Sequence, residues 1–256
     1  MLFRSLVGSE GTLAIVTAAR LRLVPWYRET AAALIACDSL IDAISLLPRL
    51  RALPSLDAVE LLLPEALAVA CKYLTLKPPI DPASAGAFVM VDCAADRDPS
   101  DELLGLLAGE QGVMALGPQR DLLYKIRDHV TIAIGALGEP LKLDVAVPVQ
   151  HLDRLMRRIT TAVPSGARLI VFGHLAEGNV HVNVLGAGDA AASVREAVLQ
   201  AAIDLGGTIS AEHGIGVAKA DWLERLKGPA AYAALRAVKA ALDPTNLLNP
   251  GVLFPR

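Results

Sequence analysis

The chain has 256 residues, 54% of them apolar and 20% charged, enough for one large domain or two small ones with a buried core. Intrinsic disorder is excluded, because it requires low hydrophobicity and high net charge. A net charge of −3 leaves no global footprint for nucleic acid or an anionic membrane, and 4% aromatic residues argue against a stacking platform for single strands. In chain order, residues 8–12 (Gly-Ser-Glu-Gly-Thr) have turn chemistry, and 15–24 are rich in β-formers and predict a strand that Pro25 ends. Residues 30–37 predict a strand, and Ser39 caps a helix with Leu40, Ile41, Ile44, Leu47 and Leu50 on one face. Strands follow at 56–63, 85–94 and 111–116, with helices at 66–74 and 98–110 and a proline-rich loop at 77–84.

The second half echoes this order. A helix at 120–135 joins the halves, and strands at 142–149, 168–174, 179–185 and 207–210 surround helices at 150–163 and 189–205, the latter with Asp189 as its cap. Residues 219–242 read as helix, and Asp243-Pro244 leads into an extended tail. The expectation is an α+β fold: two ferredoxin-like split βαβ halves sharing one antiparallel sheet, with helices on one face. The repeat lies in element order, not in residue identity.

Cys37, Cys71 and Cys93 are odd in number and far apart, which makes neither a disulfide framework nor a CxxC site and points to a reducing, cytoplasmic setting. The first residues lack a signal-peptide pattern. The most apolar stretch, 30–47, is broken by Asp38 and Asp42 and falls short of a membrane span of ~20 residues.

The chemistry-bearing residues gather in two strings, Phe-Gly-His-Leu-Ala-Glu-Gly-Asn-Val-His-Val-Asn at 172–183 and Ser-Ala-Glu-His-Gly-Ile-Gly at 210–216. Read as a hairpin, the first puts His174 at the end of one strand and His181 near the start of the next, with Asn183 on the same face as His181. Two imidazoles at one hairpin mouth can reach one divalent ion. A carboxylate from elsewhere would complete an open His-His-carboxylate set, with Glu212 the first candidate and Glu177 the alternative. Hydrogen-bonded loop histidines would produce the same spacing. His129 and His151 have no polar string around them and read as structural. Arg127 and Thr131 share a helix face, and Lys142 opens the following strand. Together they could grip a carboxylate, or form a solvated face. No GxGxxG, P-loop, GxSxG or HExxH pattern is present.

Four strings occur together in one order: Gly-Ser-Glu-Gly-Thr-Leu-Ala-Ile-Val-Thr at 8–17, the two histidine strings, and Asp-Pro-Thr-Asn-Leu-Leu-Asn-Pro-Gly at 243–251. The first resembles the end of the FAD-binding domain of the vanillyl-alcohol oxidase superfamily. The other three resemble the C-terminal domain of its 2-hydroxy acid dehydrogenase branch, that of D-2-hydroxyglutarate dehydrogenase, D-lactate dehydrogenase and the glycolate oxidase flavin subunit. The resemblance implies FAD and a divalent metal, zinc first. It places metal ligands at His174, His181 and Glu212, and a base for the substrate hydroxyl at His213. It places substrate contacts at Arg127, Thr131, Lys142 and Asn183, and flavin contacts at Gly8, Ser9, Glu10, Gly11, Thr12, Ile15, Val16 and Asn249. Ala14 and Ala18 depart from a usual Gly and Glu.

The domain expectation is a strip of the FAD-binding domain at 1–28, a substrate and metal domain at 29–242, and a tail at 243–256 that returns to the flavin. The glycine-rich, pyrophosphate-binding part of the family's FAD domain would precede this chain. The expected partners are therefore a small 2-hydroxy acid, possibly a dicarboxylate, an electron acceptor, and a flavin-domain half or a second copy in a homodimer. Nucleic acid and a membrane span are not expected. By itself the chain is expected to hold FAD poorly, with residues 1 to 25 lacking pairing strands. A zinc hydrolase on the same His-His-Glu set and a folded, inactive accessory subunit are the alternatives.

Overall fold

The computed structural model describes residues 6–255. A seven-stranded, wholly antiparallel sheet organises them: β1 (Glu29–Cys37), β2 (Leu56–Leu62), β3 (Ala87–Ala95), β4 (Gln111–Ala115), β5 (Leu141–Ala146), β6 (Arg168–His174) and β7 (Asn179–Leu185), in spatial order β4-β1-β3-β2-β6-β7-β5. The first four strands make one ferredoxin-like half and the last three most of another. The halves meet where β2 pairs with β6, through Glu60↔His174, Leu61↔Gly173 and Leu62↔Phe172. The shared sheet expected from the element order is present.

Helices α1 (Leu40–Ser45), α2 (Leu47–Arg51), α4 (Ser100–Leu107), α6 (Leu152–Ala162) and α7 (Ala191–Asp204) pack on one face, as the ferredoxin-like pattern requires. Two further helices, α3 (Pro64–Tyr73) and α5 (Pro118–Leu137), cover the opposite face. The reason lies in β1 and β3. Their residues are buried almost without a break, so both faces are apolar and both need a cover. Ala33, Ile35, Val89 and Val91 enter the first core, while Ala32, Leu34, Phe88 and Met90 meet Leu67, Ile126, Val130 and Ile134 in the second. Ser39 caps α1 as expected, accepting the Asp42 N–H at 3.2 Å.

Four local expectations change. Residues 15–24 form no strand, and Leu21 and Leu23 are 81% and 90% exposed. Among the described strands none pairs with this segment, so it has no ladder partner. The strand expected at 207–210 shrinks to a single bridge, Ala146↔Thr208. There the next amides, from Ala211 to His213, turn to the Asp144 side chain instead of to the backbone of β5. Asp189 does not cap α7; it lies in a 3-10 turn, Gly188–Ala190, and the helix begins at Ala191 without a side-chain cap. The helix expected over 219–242 is broken at Gly228 (φ +79°) and Pro229, giving α8 (Leu223–Lys227) and α9 (Pro229–Leu242). No helix among the described residues is long and apolar enough to cross a membrane.

Candidate active site

Directly opposed residues of an antiparallel pair share a face, and so do alternate residues of one strand. The register Phe172↔His181 and His174↔Asn179 therefore sets both imidazoles on one face of the sheet. Glu60 joins that face opposite His174, and Lys142 and Asp144 join it opposite Asn183 and His181. It is the face covered by α5, which lowers Arg127 and Thr131 toward it. Arg127, Thr131, Lys142, His181, Asn183, Glu212 and His213 line one cavity of about 450 Å3. The sheet register and one helix thus bring together residues that lie far apart in the chain.

The two imidazoles are oriented alike. His174 Nδ1 lies 2.8 Å from Glu60 Oε1, and His181 Nδ1 lies 3.4 Å from Asp144 Oδ1. A carboxylate accepts only, so each Nδ1 donates to its backing carboxylate and each Nε2 points away from it, that of His174 lying 3.4 Å from Arg127 Nη2. Both Nε2 atoms face Glu212: His181 at 3.3 Å from Oε1, His174 at 3.7 Å from Oε2. Glu177 is exposed and pairs with neither imidazole. His213 Nε2 stands 3.5 Å from Glu212 Oε1, and its ring meets that of His181 edge-on at 5.7 Å.

Among the described residues, Asp144, His181, Glu212 and His213 can bring one ligand atom each to within 4.8 Å of one another, and His174 lies outside that group. Asp144 is nevertheless spent. Its Oδ2 accepts the Ala211, Glu212 and His213 amides at 2.8, 3.0 and 3.4 Å, and its Oδ1 accepts Asn179 Nδ2 at 2.8 Å. Burial would raise its pKa, but the hydrogen bonds from His181, Asn179 and the backbone hold it far below the usual carboxylate range. Glu60 also splits its oxygens, one to His174 and Oε2 to Arg127 Nε at 2.9 Å. Carboxylates backing imidazoles whose far nitrogens converge on a third carboxylate are the donor arrangement that suits a divalent metal.

Sequence reasoning missed Glu60, Asp144 and Lys219. The first two had a signal, a lone carboxylate inside an otherwise apolar strand (Ala-Val-Glu-Leu-Leu and Lys-Leu-Asp-Val-Ala), a position that burial penalises without a partner. Lys219 lines the cavity and donates to the Ile209 carbonyl at 2.7 Å. Burial pushes its ammonium pKa down, opposed by the Asp144 and Glu10 carboxylates. His129 and His151 bond to backbone carbonyls away from the cavity, as expected.

The expected flavin segment lies against the same loop. Glu10 accepts the Ile215 and Gly216 amides, each at 2.7 Å, and its own carbonyl accepts Asn249 Nδ2 at 2.7 Å. Thr12 is buried, and Gly8, Gly11, Ile15 and Val16 are exposed. Ser9 is buried and accepts the Thr12 hydroxyl at 2.7 Å.

Residues 27–253 match the family described as FAD linked oxidases, C-terminal domain. The chain belongs to this family. Family relatives include a probable mitochondrial D-2-hydroxyglutarate dehydrogenase of Oryza sativa subsp. indica, 27% identical over 98% of this chain and 48% of its own length. A D-lactate dehydrogenase of Archaeoglobus fulgidus is 31% identical over 98% of this chain and 57% of its own. This FAD-linked oxidase domain thus spans about half the length of the relatives it matches. Its fold is that of 4-ethylphenol oxidase from Gulosibacter chungangensis, with a TM-score of 0.61 at 15% identity, covering 92% of this chain and 56% of that one.

Proposed function

We propose that this chain is the substrate- and metal-binding half of an FAD-dependent D-2-hydroxy acid dehydrogenase, which oxidises a 2-hydroxy acid to the 2-oxo acid. One observation carries the proposal: His174 and His181, backed by Glu60 and Asp144, aim their Nε2 atoms at Glu212 beside a cavity lined by Arg127, Thr131, Lys142 and Asn183. The names of the two relatives support the same reading.

His174, His181 and Glu212 would hold the metal; two imidazoles and a carboxylate with open positions suit zinc in a catalytic setting. A metal held there would supply Lewis acidity to a substrate hydroxyl, and FAD would supply the hydride acceptor. His213 Nε2 takes the hydroxyl proton, an imidazole being matched to neutral pH. Arg127 and Lys142 neutralise carboxylate charge, Thr131 orients a carboxylate oxygen, and Asn183 lines the cavity beside them. Arg127 already shares its charge with Glu60, whereas Lys142 is exposed and has no ion-pair partner among the described residues. Two cations beside a metal favour a dicarboxylate such as 2-hydroxyglutarate. Gly8, Ser9, Glu10, Gly11, Thr12, Ile15, Val16 and Asn249 form the side turned to the flavin, whose remaining contacts would come from a flavin-domain half. The three free, buried cysteines fit a reducing, cytoplasmic setting.

The test mixes the purified chain with a flavin-domain half and follows dye reduction. The chain alone should be colourless, bind divalent metal and show no turnover, and the mixture should turn over D-2-hydroxyglutarate faster than D-lactate. A chain that binds no divalent metal would sink the site assignment, and a strong lactate preference would sink the dicarboxylate reading.

A further inference from the structure

The segment 210–216 carries Glu212 and His213 but belongs to no helix or strand. Its amides are held by two carboxylates from distant parts of the chain. Asp144 takes Ala211, Glu212 and His213, and Glu10 takes Ile215 at Oε1 and Gly216 at Oε2. Between the two sets lies Gly214 at φ +84°, where a Cβ would come within 2.9 Å of the Glu10 carboxylate. The glycine therefore gives both the turn and the room for Glu10 to enter. Lys219, bonded to the Ile209 carbonyl, feels the charge of both carboxylates.

The turn that bears Glu10 has a separate anchor. Lys239 is buried, pairs with Asp243, and donates to the carbonyls of Thr12 at 2.9 Å and Leu248 at 2.8 Å. Asn249 holds the Glu10 carbonyl. The turn therefore has anchors besides the Glu10 carboxylate, whose removal would take away the acceptor of the Ile215 and Gly216 amides.

We propose that Glu10 is a positioning residue, whose carboxylate fixes the Glu212–His213 loop from the N-terminal turn. Asp144 holds the amides of the first part of the loop, Ser210 and Leu253 bond the carbonyls of Gly214 and Gly216, and Glu10 is the group that holds the Ile215 and Gly216 amides from the turn at 8–12. Glu212 and His213 then reach their working positions together with the segment proposed to face the flavin. The inference rests on the proposed roles of Glu212 and His213.

The test compares the full chain with Glu10→Ala and Glu10→Gln by amide hydrogen exchange and by Co(II) titration, read in the visible absorption of the ion. Glu10→Ala should raise exchange at Ile215 and Gly216 by about tenfold or more, the loss expected when bonds to a charged acceptor go. Co(II) affinity should fall about tenfold, the low end for outer-shell partners, with a shifted visible band. Glu10→Gln retains one acceptor and should fall between. Unchanged exchange and unchanged Co(II) binding in Glu10→Ala would overturn the proposal. Should that variant fail to fold, the same result in Glu10→Gln would do so. If the unaltered chain takes up no Co(II), the metal reading fails, and the exchange data still decide the role of Glu10.

Discussion

Helix α5 sets two arginines, Arg120 and Arg127, two turns apart on one face, each above a carboxylate of the sheet. The two pairs use the same chemistry to different ends. In the first, Asp92 on β3 is 1% exposed and gives both oxygens to Arg120, at 2.8 Å from Nε and 2.7 Å from Nη2. The guanidinium also lies over the Tyr124 ring, 4.8 Å from its centroid. That pair is closed and structural. In the second, Glu60 on β2 gives one oxygen to Arg127 and the other to His174. What differs is the next strand. β3 lies between β1 and β2, inside its own half, whereas β2 lies against β6 and so meets an imidazole at Glu60↔His174. The seam between two copies of one topology is where a structural ion pair becomes part of a site.

Substitutions at the two pairs should separate accordingly. The largest effect belongs to the proposed ligands: His174→Ala or His181→Ala should weaken zinc or Co(II) binding by more than the roughly 100-fold that marks loss of an outer-shell partner, with an unchanged circular dichroism spectrum. Glu60→Gln should weaken it by about 10- to 100-fold, because one neutral amide oxygen replaces the two carboxylate oxygens that Arg127 and His174 now use separately. Asp92→Asn should leave metal binding alone and cost about 2 kcal/mol in urea unfolding, less than a fully buried pair because Arg120 is 21% exposed. A metal effect at Asp92, or none at Glu60, would erase the distinction between the pairs.

The pH dependence of the metal-free chain sharpens the same contrast. The hydrogen bond to Glu60 raises the His174 pKa more than burial lowers it. Burial would raise the Glu60 pKa, but the His174 hydrogen bond and the Arg127 charge lower it by more. The Glu60 contribution is present above its unfolded pKa of about 4.3 and is lost as pH falls through the folded value. The His174 contribution is present below about 6.5 and is lost as pH rises through its raised value. In EDTA, the difference in Tm between the native chain and Glu60→Gln should therefore peak between about pH 4.5 and 6.5 and shrink on both sides. The smallest effect lies far from the seam. Ser39→Ala removes the cap of α1 and should cost about 1 kcal/mol in urea unfolding with no change in metal affinity.

The order of elements was legible in the residues, because burial on a strand or a helix face leaves a local period. The apolar run of β1, the Ser39 cap and the two histidine strings are examples. Residues 15–24 misled for the converse reason: β-forming composition describes what a segment favours, and a strand also needs a neighbour. Glu60 and Asp144 stood out only as carboxylates in apolar company, and nothing in the residues around Glu10 showed that its carboxylate turns to Ile215 and Gly216.

The sequence by itself determined two split βαβ halves, His181 and Asn183 on one face of β7, and the family to which these strings belong. Only the tertiary structure decided that β2 meets β6, that α3 and α5 cover the second face, and that residues 10, 60, 127, 144, 174 and 212 share one neighbourhood. The physical reason is that periodicity reports the environment of each residue along its own element. Register between strands is a property of pairs: the partner across Glu60 was set when two apolar faces, more than a hundred residues apart, were buried on one another.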